Sequence, residues 1–169
     1  MPPPEFHVEP LESDHDRAGF SCGVEALDNY LKKQARQDVK KRVAAVFVLT
    51  PDGETVAGYY SLSQFSVDLG MLPQDITKRL PRYPIVPSTL IGRLAVSTEF
   101  RGQGLGELLL MDALHRSLAL SRQIASAAVI VDAKDERAMS FYRKYGFLEL
   151  PSIAGRLFLP MPTVEQLFQ

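Results

Sequence analysis

The sequence contains few of the residues that build disulfides and metal sites. Cys22 is the single cysteine, which excludes an internal disulfide and a multi-cysteine metal centre. The three histidines, His7, His15 and His115, lack the spacing of metal ligands, so we predict no metal. A lone thiol is typical of a reducing compartment, and we expect the protein in the cytoplasm.

Several longer signals are also missing. The N-terminus has no basic region followed by an apolar run, and no apolar run is long enough to cross a bilayer, so we expect neither a signal peptide nor membrane insertion. Neither a G-x-x-x-x-G-K-[ST] phosphate loop nor a G-x-S-x-G nucleophile turn occurs. A net charge of −1 provides no overall attraction to nucleic acid, so any such binding needs a local patch.

The remaining composition is that of an ordinary globular protein. With 169 residues, 46% hydrophobic and 23% charged, the chain can bury a sizeable core, and we predict a single domain over residues 1–169. Apolar runs alternating with amphipathic segments predict an α/β protein with a mixed central sheet, parallel where a helix intervenes. The predicted strands are Phe6–Pro10, Val43–Thr50, Thr55–Val67, Thr89–Val96, Ala127–Ala133, Phe147–Leu150 and Gly155–Pro160. The predicted helices begin near Phe20, inside the glycine-rich loop, at Asp135 and at Thr163.

A glycine-rich turn lies at the centre of this pattern. The strand Thr89–Val96 leads into Arg101–Gly106, after which Leu110, Leu114 and Leu118 recur every four residues, as in a helix. A helix that begins in such a turn presents unpaired N–H groups and a positive dipole end, which together favour an anion. Glycines there let the backbone approach a pyrophosphate closely.

The glycine spacing resembles one family of phosphate-binding loops. Gly102, Gly104 and Gly106 do not fit the dinucleotide pattern G-x-G-x-x-G, because the third glycine comes one residue early. They do fit Arg/Gln-x-x-Gly-x-Gly/Ala, which resembles the acyl-CoA loop of the GNAT superfamily of N-acetyltransferases. The resemblance implies a GNAT fold, in which a splayed pair of parallel strands flanked by helices binds acetyl-CoA. The matching contact positions are Leu94, Ala95, Val96, Arg101, Gly102, Gln103, Gly104, Leu105 and Gly106.

A second motif supports the same family. The run from Asp135 to Phe147 resembles the GNAT signature Asn-x-x-A-x-x-(F/L)-Y-x-x-x-G-F, although Asp135 stands where Asn is commoner. The resemblance implies that Phe141 and Asp135 lie near the cofactor and that the Tyr142 hydroxyl, whose ordinary pKa is about 10, donates a proton to the leaving CoA thiolate. A lone tyrosine on a helix is otherwise most simply a core aromatic, and we expect Tyr145 to pack.

No general base stands out. Many GNAT enzymes carry a glutamate on the strand before the loop, but Thr89–Ser97 contains no carboxylate, and Glu99 lies later, in the turn. A lysine amine has a pKa of about 10.4, whereas the pKa of an α-amine is about 8. The pKa is lower still where the α-amine lies next to an ester. The missing carboxylate therefore favours an activated α-amine as acceptor, unless a chain of waters replaces the base.

Two basic regions have alternative interpretations. The N-terminal helix has an apolar stripe at Leu27, Leu31, Ala35 and Val39, and its other face is either solvated or a phosphate-binding surface, with Asp28 and Asp38 diluting its charge. The loop Leu69–Pro87 is likewise either a plain surface loop or a functional one. The cations of interest are Lys32, Lys33, Arg36, Lys40, Lys41, Arg42, Arg79, Arg82 and Arg93, of which Arg93 could equally pair internally.

A narrower resemblance covers about residues 20–161. Four parts of the sequence look like the GNAT toxins of bacterial type II toxin–antitoxin pairs. They are the run Phe20-x-Cys22-Gly23-x-x-x-Leu27-Asp28-x-Tyr30-Leu31, the segments 91–96 and 131–133, and the ending at residues 156–161. This implies acetylation of the α-amine of aminoacyl-tRNA, a ribbon-helix-helix antitoxin, a homodimer, and tRNA contacts by the cations named above. The alternatives are a GNAT enzyme that acetylates a small amine or protein N-terminus, and a non-enzymatic acyl-CoA-binding or DNA-bound module.

Overall fold

Seven strands form one mixed sheet. The computed structural model describes residues 5–169. Its strands are β1 (His7–Pro10), β2 (Ala45–Thr50), β3 (Gly58–Asp68), β4 (Ile85–Val96), β5 (Ala128–Asp132), β6 (Leu148–Glu149) and β7 (Arg156–Pro160). Its α-helices are α1 (Glu25–Asn29), α2 (Ala35–Lys40), α3 (Gln74–Thr77), α4 (Leu105–Ser121), α5 (Glu136–Lys144) and α6 (Met161–Leu167). Within this part of the chain the sheet order is β1-β2-β3-β4-β5-β7-β6.

The strand pairing confirms the predicted mixed sheet. β1 pairs antiparallel with β2, and β2 pairs antiparallel with β3 as the predicted hairpin, with Val46 opposite Ser61. β4 pairs with β5 in parallel, with Thr89 opposite Val129 and Ile91 opposite Val131. β5 and β7, and then β7 and β6, pair antiparallel. The strands of the parallel pair are joined through the long helix α4, because parallel neighbours need a crossover connection.

The chain divides into two compact units. The first contains the residues up to Ser63 together with Gly92–Ala113, and the second contains Gln64–Ile91 with Leu114–Gln169. In the first unit, the core forms where the N-terminal helices meet the sheet; its members are Leu11, Phe20, Cys22, Tyr30, Leu31, Ala35, Val46, Val48, Val56, Tyr59 and Ala95. In the second unit, a separate core surrounds Ile130 and Phe158. Ile130 and Phe158 lie on strands that are buried almost throughout, β5 and β7, so these strands are continuous apolar runs.

The N-terminal helix differs from the prediction of a continuous α-helix. Between α1 and α2, residues Tyr30–Gln34 form a π-turn. The predicted stripe is nevertheless inward: Leu31 and Ala35 are fully buried, and Leu27 and Val39 are half-buried. A stripe spaced by four residues drifts by about 40° per step on an α-helix of 3.6 residues per turn. The extra residue of the π-turn offsets that drift and keeps the stripe on the core.

The loop before β4 is shorter than predicted. β4 begins at Ile85, four residues before Thr89, because Val86 and Ser88 are buried and alternate with exposed Ile85 and Pro87. The prolines favoured an irregular prediction, since proline cannot donate to a sheet. Pro87 nonetheless accepts a hydrogen bond from the Ala127 N–H at 2.8 Å through its carbonyl.

The central helix matches the prediction closely. α4 begins at Leu105, inside the glycine-rich turn, and runs to Ser121. Its two predicted apolar stripes are buried; they consist of Leu105, Leu109, Leu110, Ala113, Leu114 and Leu118. This anchoring fixes the position of the helix N-terminus, which is the part with spare N–H groups.

Candidate active site

The glycine-rich turn has the backbone and the open space that a phosphate loop needs. Gly102 and Gly104 have φ values of 81° and 74°, a region that side chains other than glycine rarely adopt. A Cβ built at either position would meet no atom within 4 Å. The first bond of α4 runs from the Leu108 N–H to the Gly104 carbonyl at 3.2 Å, so the preceding N–H groups have no helical partner. The turn therefore offers donors and a positive dipole end toward free space.

The first residue of this turn is tied down by its side chain. The Arg101 guanidinium donates through Nη2 to the Cys22 carbonyl. Just before it, the Ser97 hydroxyl caps the short 3-10 helix Thr98–Phe100 by accepting from the Glu99 N–H at 3.3 Å. The Glu99 side chain is exposed, as expected for a turn carboxylate.

The end of β4 is packed closely on its neighbours in the first unit. Ala95 is 5% exposed, while Leu94 and Val96 on the alternate face are half-buried. A Cβ at Gly58 would lie 2.8 Å from the Ala95 carbonyl oxygen and 2.7 Å from Leu109 Cδ1, so β3 needs glycine there. The close approach fixes the strand that leads into the turn.

Tyr142 lies in the second unit, on α5. Its side chain is 8% exposed, and its ring packs edge-to-face on Phe141 and Phe147 at centroid distances of 5.3 and 5.4 Å. Burial raises the pKa of its hydroxyl to about 12. The hydroxyl makes no hydrogen bond within residues 5–169. It is a protonated donor at neutral pH on an immobilised ring.

The α5 termini explain the departure from the family motif. Asp135 is the N-cap of α5, and its Oδ1 accepts a hydrogen bond from the Ala138 N–H at 2.8 Å. Aspartate performs this role as well as asparagine does. At the other end, Gly146 takes a φ of 97° just beyond the cap, as the sequence predicted. Tyr145 packs edge-to-face on half-buried Phe141 at 5.3 Å, which confirms that it is a packing residue.

The basic surface of the N-terminal helices carries no ion pairs. Six cations lie along the π-turn, α2 and the residues after it: Lys32, Lys33, Arg36, Lys40, Lys41 and Arg42. Five are exposed and Lys32 is half-buried, and none has a carboxylate within salt-bridge distance in the described chain.

The two nearby carboxylates accept hydrogen bonds from neighbouring groups. Asp28 accepts from the Cys22 N–H at 2.8 Å, and Asp38 accepts from the Tyr30 hydroxyl at 2.8 Å and from Gln34 at 2.9 Å. The Gln34 hydrogen bond, ahead of the Tyr30 bond and the charges of Arg93 and Lys41, holds the pKa of Asp38 below its usual value. The charge of Asp38 therefore acts on one cation of the basic surface, in line with the expected dilution.

Arg93 makes an internal contact with an aromatic ring. Its guanidinium carbon lies 3.5 Å from the centroid of the Tyr30 ring, so it stacks on an aromatic residue rather than pairing with a carboxylate. Burial, and then the hydrogen bond to Asp38, raise the pKa of Tyr30 to about 12. The assignment of Arg93 to tRNA binding stays a prediction.

In the second unit, the loop 69–84 combines packing with exposed charge. Leu69, Met71, Ile76 and Leu80 pack on the core of that unit, and the Leu69 N–H closes the loop by donating to the Pro84 carbonyl at 3.0 Å. The predicted cations Arg79 and Arg82 are exposed, as is Lys78. The structure therefore shows an ordered loop with a basic outer edge.

The predicted site residues fall into two groups. The first unit brings together Leu94–Val96 and Arg101–Gly106, and the second holds Asp135, Phe141 and Tyr142. Among residues 5–169, no cluster of three or more histidine, cysteine, aspartate or glutamate side chains could hold a metal. No helix in that range is long and apolar enough to cross a membrane.

Comparison with known proteins identifies the family. Residues 42–149 match the family of the acetyltransferase (GNAT) domain. The chain is 36% identical to a probable toxin TacT of Sinorhizobium fredii, covering 95% of this chain and 93% of that protein. It is 34% identical to a tRNA-acetylating toxin of Mycobacterium tuberculosis, covering 90% of each.

Solved structures have the same fold over nearly the whole chain. A tyrosine-to-phenylalanine mutant of KacT superposes with a TM-score of 0.91 at 31% identity, covering 97% of this chain and 99% of that one. AtaT complexed with acetyl-methionyl-tRNA gives 0.90 at 29% identity with the same coverage. AtaTR bound with acetyl-CoA gives 0.86 at 28%, covering 98% and 99%. With the glycine-rich turn and the sheet described above, these matches show that the chain belongs to the GNAT acetyltransferase family and, within it, to the GNAT toxins.

Proposed function

We propose that this protein transfers the acetyl group of acetyl-CoA to the α-amine of aminoacyl-tRNA and so blocks translation as a toxin. The observation that carries the proposal is the match, over 90% of both chains, to a tRNA-acetylating toxin. The complex of AtaT with acetylated methionyl-tRNA supports the same substrate class. In this proposal, residues 1–169 form a single acetyltransferase domain.

Acetyl-CoA binds along β4 and at the start of α4. The open, glycine-lined turn at Gly102 and Gly104 takes the pyrophosphate against the N–H groups of α4. Leu94, Ala95 and Val96 lie along the pantetheine, where spare strand N–H groups polarise the thioester carbonyl. Phe141 and Asp135 complete the cofactor contacts, with Asp135 acting mainly through its cap on α5.

The reaction needs one proton donor and little help from a base. The neutral α-amine attacks the thioester carbon, the C–S bond breaks, and Tyr142 gives its proton to the CoA sulfur while the amine loses one to solvent. The buried hydroxyl of Tyr142, with a pKa raised to about 12, is protonated at neutral pH and suits the role of donor. The ester of aminoacyl-tRNA lowers the pKa of the amine, which fits a strand without a carboxylate.

The tRNA lies on the unpaired cations. The surface formed by Lys32, Lys33, Arg36, Lys40, Lys41 and Arg42 has no carboxylate within salt-bridge distance in residues 5–169, although the charge of Asp38 acts on Lys41, and it suits the phosphate backbone. Arg79, Arg82 and Arg93 are further contact candidates, and the Arg93 guanidinium carbon lies 3.5 Å from the centroid of the Tyr30 ring.

The protein works with an antitoxin and as a homodimer in this proposal. AtaT has been solved bound to the C-terminus of its antitoxin AtaR, and KacTA has been solved as a complex with DNA. A DNA complex suits an antitoxin of the ribbon-helix-helix type.

The decisive experiment follows a labelled acetyl group. Purified protein is mixed with radiolabelled acetyl-CoA and either charged or uncharged tRNA, with Tyr142→Phe as the matched control. We expect label on charged tRNA only, lost on mild deacylation, and strongly reduced with the variant.

A clear alternative outcome exists for each part of the proposal. Wild-type protein that binds acetyl-CoA but leaves charged tRNA unlabelled would overturn the tRNA substrate and favour acetylation of a small amine or a protein N-terminus. Label on uncharged tRNA would instead exclude the α-amine as the acceptor.

A further inference from the structure

A short turn of the N-terminal segment is docked against the start of the glycine-rich loop. The Ser21 carbonyl accepts a hydrogen bond from the Thr98 N–H at 2.8 Å, and the next carbonyl, that of Cys22, accepts from Arg101 Nη2. Two consecutive carbonyls are thus bonded to residues that precede and begin the loop. The contact joins positions 79 residues apart in sequence.

The turn is itself held rigidly. The Cys22 N–H donates to Asp28 Oδ1 at 2.8 Å, and its side chain is 4% exposed, in the core with Phe20 and Tyr59. The Cys22 thiol also contacts the Val24 carbonyl at 3.6 Å. Because the peptide is fixed on both sides, its carbonyl is a defined acceptor and not a mobile one.

Gly23 leaves room for the arginine. It has a φ of 87°, and a Cβ at this position would lie 3.1 Å from Arg101 Nη2. A side chain here would therefore be strained and would also push on the guanidinium.

We propose that the Cys22–Gly23 turn is a positioning element for the pyrophosphate loop, acting through Arg101. The proposal rests on the function above, since it takes the glycine-rich turn as the pyrophosphate site. Glycines leave a loop conformationally free, so an anchor at its first residue reduces the ordering that binding must impose. The Cys22 carbonyl uses one of the five guanidinium N–H groups and holds the positive charge beside the loop.

The test compares two glycines in matched conformations. Gly23→Ala introduces a Cβ next to Arg101, whereas Gly53→Ala introduces one at a φ of 83° with no atom within 4 Å. Both changes strain the backbone, and both should lower the melting temperature. Only the first should disturb the loop.

The readout separates the two ends of the cofactor. CoA and pantetheine, which lacks the pyrophosphate, are titrated into each protein by calorimetry, with no acceptor present. Gly23→Ala should weaken CoA binding about tenfold, the loss of one charge-assisted hydrogen bond of about 1.4 kcal/mol, and leave pantetheine binding unchanged. Gly53→Ala should change neither.

A double mutant tests whether Gly23 acts through Arg101. Arg101→Gln should weaken CoA binding by itself, and adding Gly23→Ala should cause no further loss. Additive losses, equal losses for CoA and pantetheine, or unchanged CoA binding by Gly23→Ala would each overturn the proposal. Because the assay needs no tRNA, it stands even if the acceptor proves to be a different amine.

Discussion

At the scale of single residues, Tyr142 combines a closely packed ring with a hydroxyl that has no hydrogen-bond partner in residues 5–169. Phe141 and Phe147 pack on its ring. A side chain kept for packing alone would lose little by losing that oxygen. A proton donor would lose its function.

Tyr142→Phe is therefore expected to keep the fold and acetyl-CoA affinity while kcat falls about 100- to 1,000-fold, the usual contribution of a general acid. The measurement is steady-state acetyl transfer together with calorimetric binding of acetyl-CoA. Near-normal turnover would eliminate Tyr142 as the acid.

The same variant has a pH signature. The pKa of folded Tyr142 is raised to about 12 from about 10 in the unfolded chain, because burial disfavours the phenolate. Its stabilising contribution is complete below pH 10 and is lost as the pH rises toward 12. Urea unfolding at pH 8 and pH 11 should show wild type losing stability relative to Tyr142→Phe; a constant difference would contradict the raised pKa.

Sequence reasoning succeeded at residues whose role is local. Gly146 as the residue after α5, Asp135 at its start, and the glycines of the loop are all set by the backbone conformation of a few neighbours. The bond from Arg101 to the Cys22 carbonyl could not be predicted, because nothing in a spacing of 79 residues records a tertiary contact.

At the scale of elements, the end of α2 shows an unusual cap. Arg42 has a φ of 60° where such a helix end normally has glycine. The Arg42 N–H donates to the Val39 carbonyl and the Val43 N–H to the Asp38 carbonyl, which is the Schellman pattern. A left-handed conformation of a residue with a Cβ costs about 1 kcal/mol.

Arg42→Gly should accordingly stabilise the fold by about 0.5–1 kcal/mol and weaken tRNA binding by removing a cation. Thermal unfolding and filter binding of charged tRNA measure the two effects. Lys41→Gln is the control, since it removes a neighbouring charge without relieving strain. If Arg42→Gly binds tRNA as tightly as wild type, Arg42 is a cap and not a contact.

Element boundaries were predictable only where one physical cause dominated. The buried stripes of α4 follow from the helical period of 3.6 residues, so the apolar spacing in the sequence predicted which residues of the helix are buried. The start of β4 was predicted late, because Pro84 and Pro87 obscured the alternation of Val86 and Ser88.

At the scale of the whole molecule, charge is distributed unevenly. The net charge is only −1, yet the six cations from Lys32 to Arg42 have no carboxylate partner among the described residues. Overall composition therefore hides a local basic surface, and the sequence left its role undecided for this reason.

Binding of tRNA should consequently depend strongly on salt. If six phosphates are contacted, the affinity for tRNA should fall about 1,000-fold between 50 and 200 mM salt, while the affinity for pantetheine should barely change. Binding isotherms across that range provide the slope, and replacing Lys40 and Lys41 by glutamine should make it shallower. If the affinity for tRNA does not change with salt, these residues form a solvated face and do not contact phosphates.

The π-turn determines where the N-terminal segment can change its length. Residues Tyr30–Gln34 supply one residue more than an α-turn would use. Removing one of them would restore regular α-helical geometry, and Ala35 and the cations of α2 would keep the directions they have now. A residue removed from α1 or α2 would instead rotate everything downstream by about 100°, because those helices have no wider turn to absorb the change. Relatives and redesigned variants can therefore lose a residue within the π-turn, whereas a deletion in either flanking helix would take Ala35 out of the core.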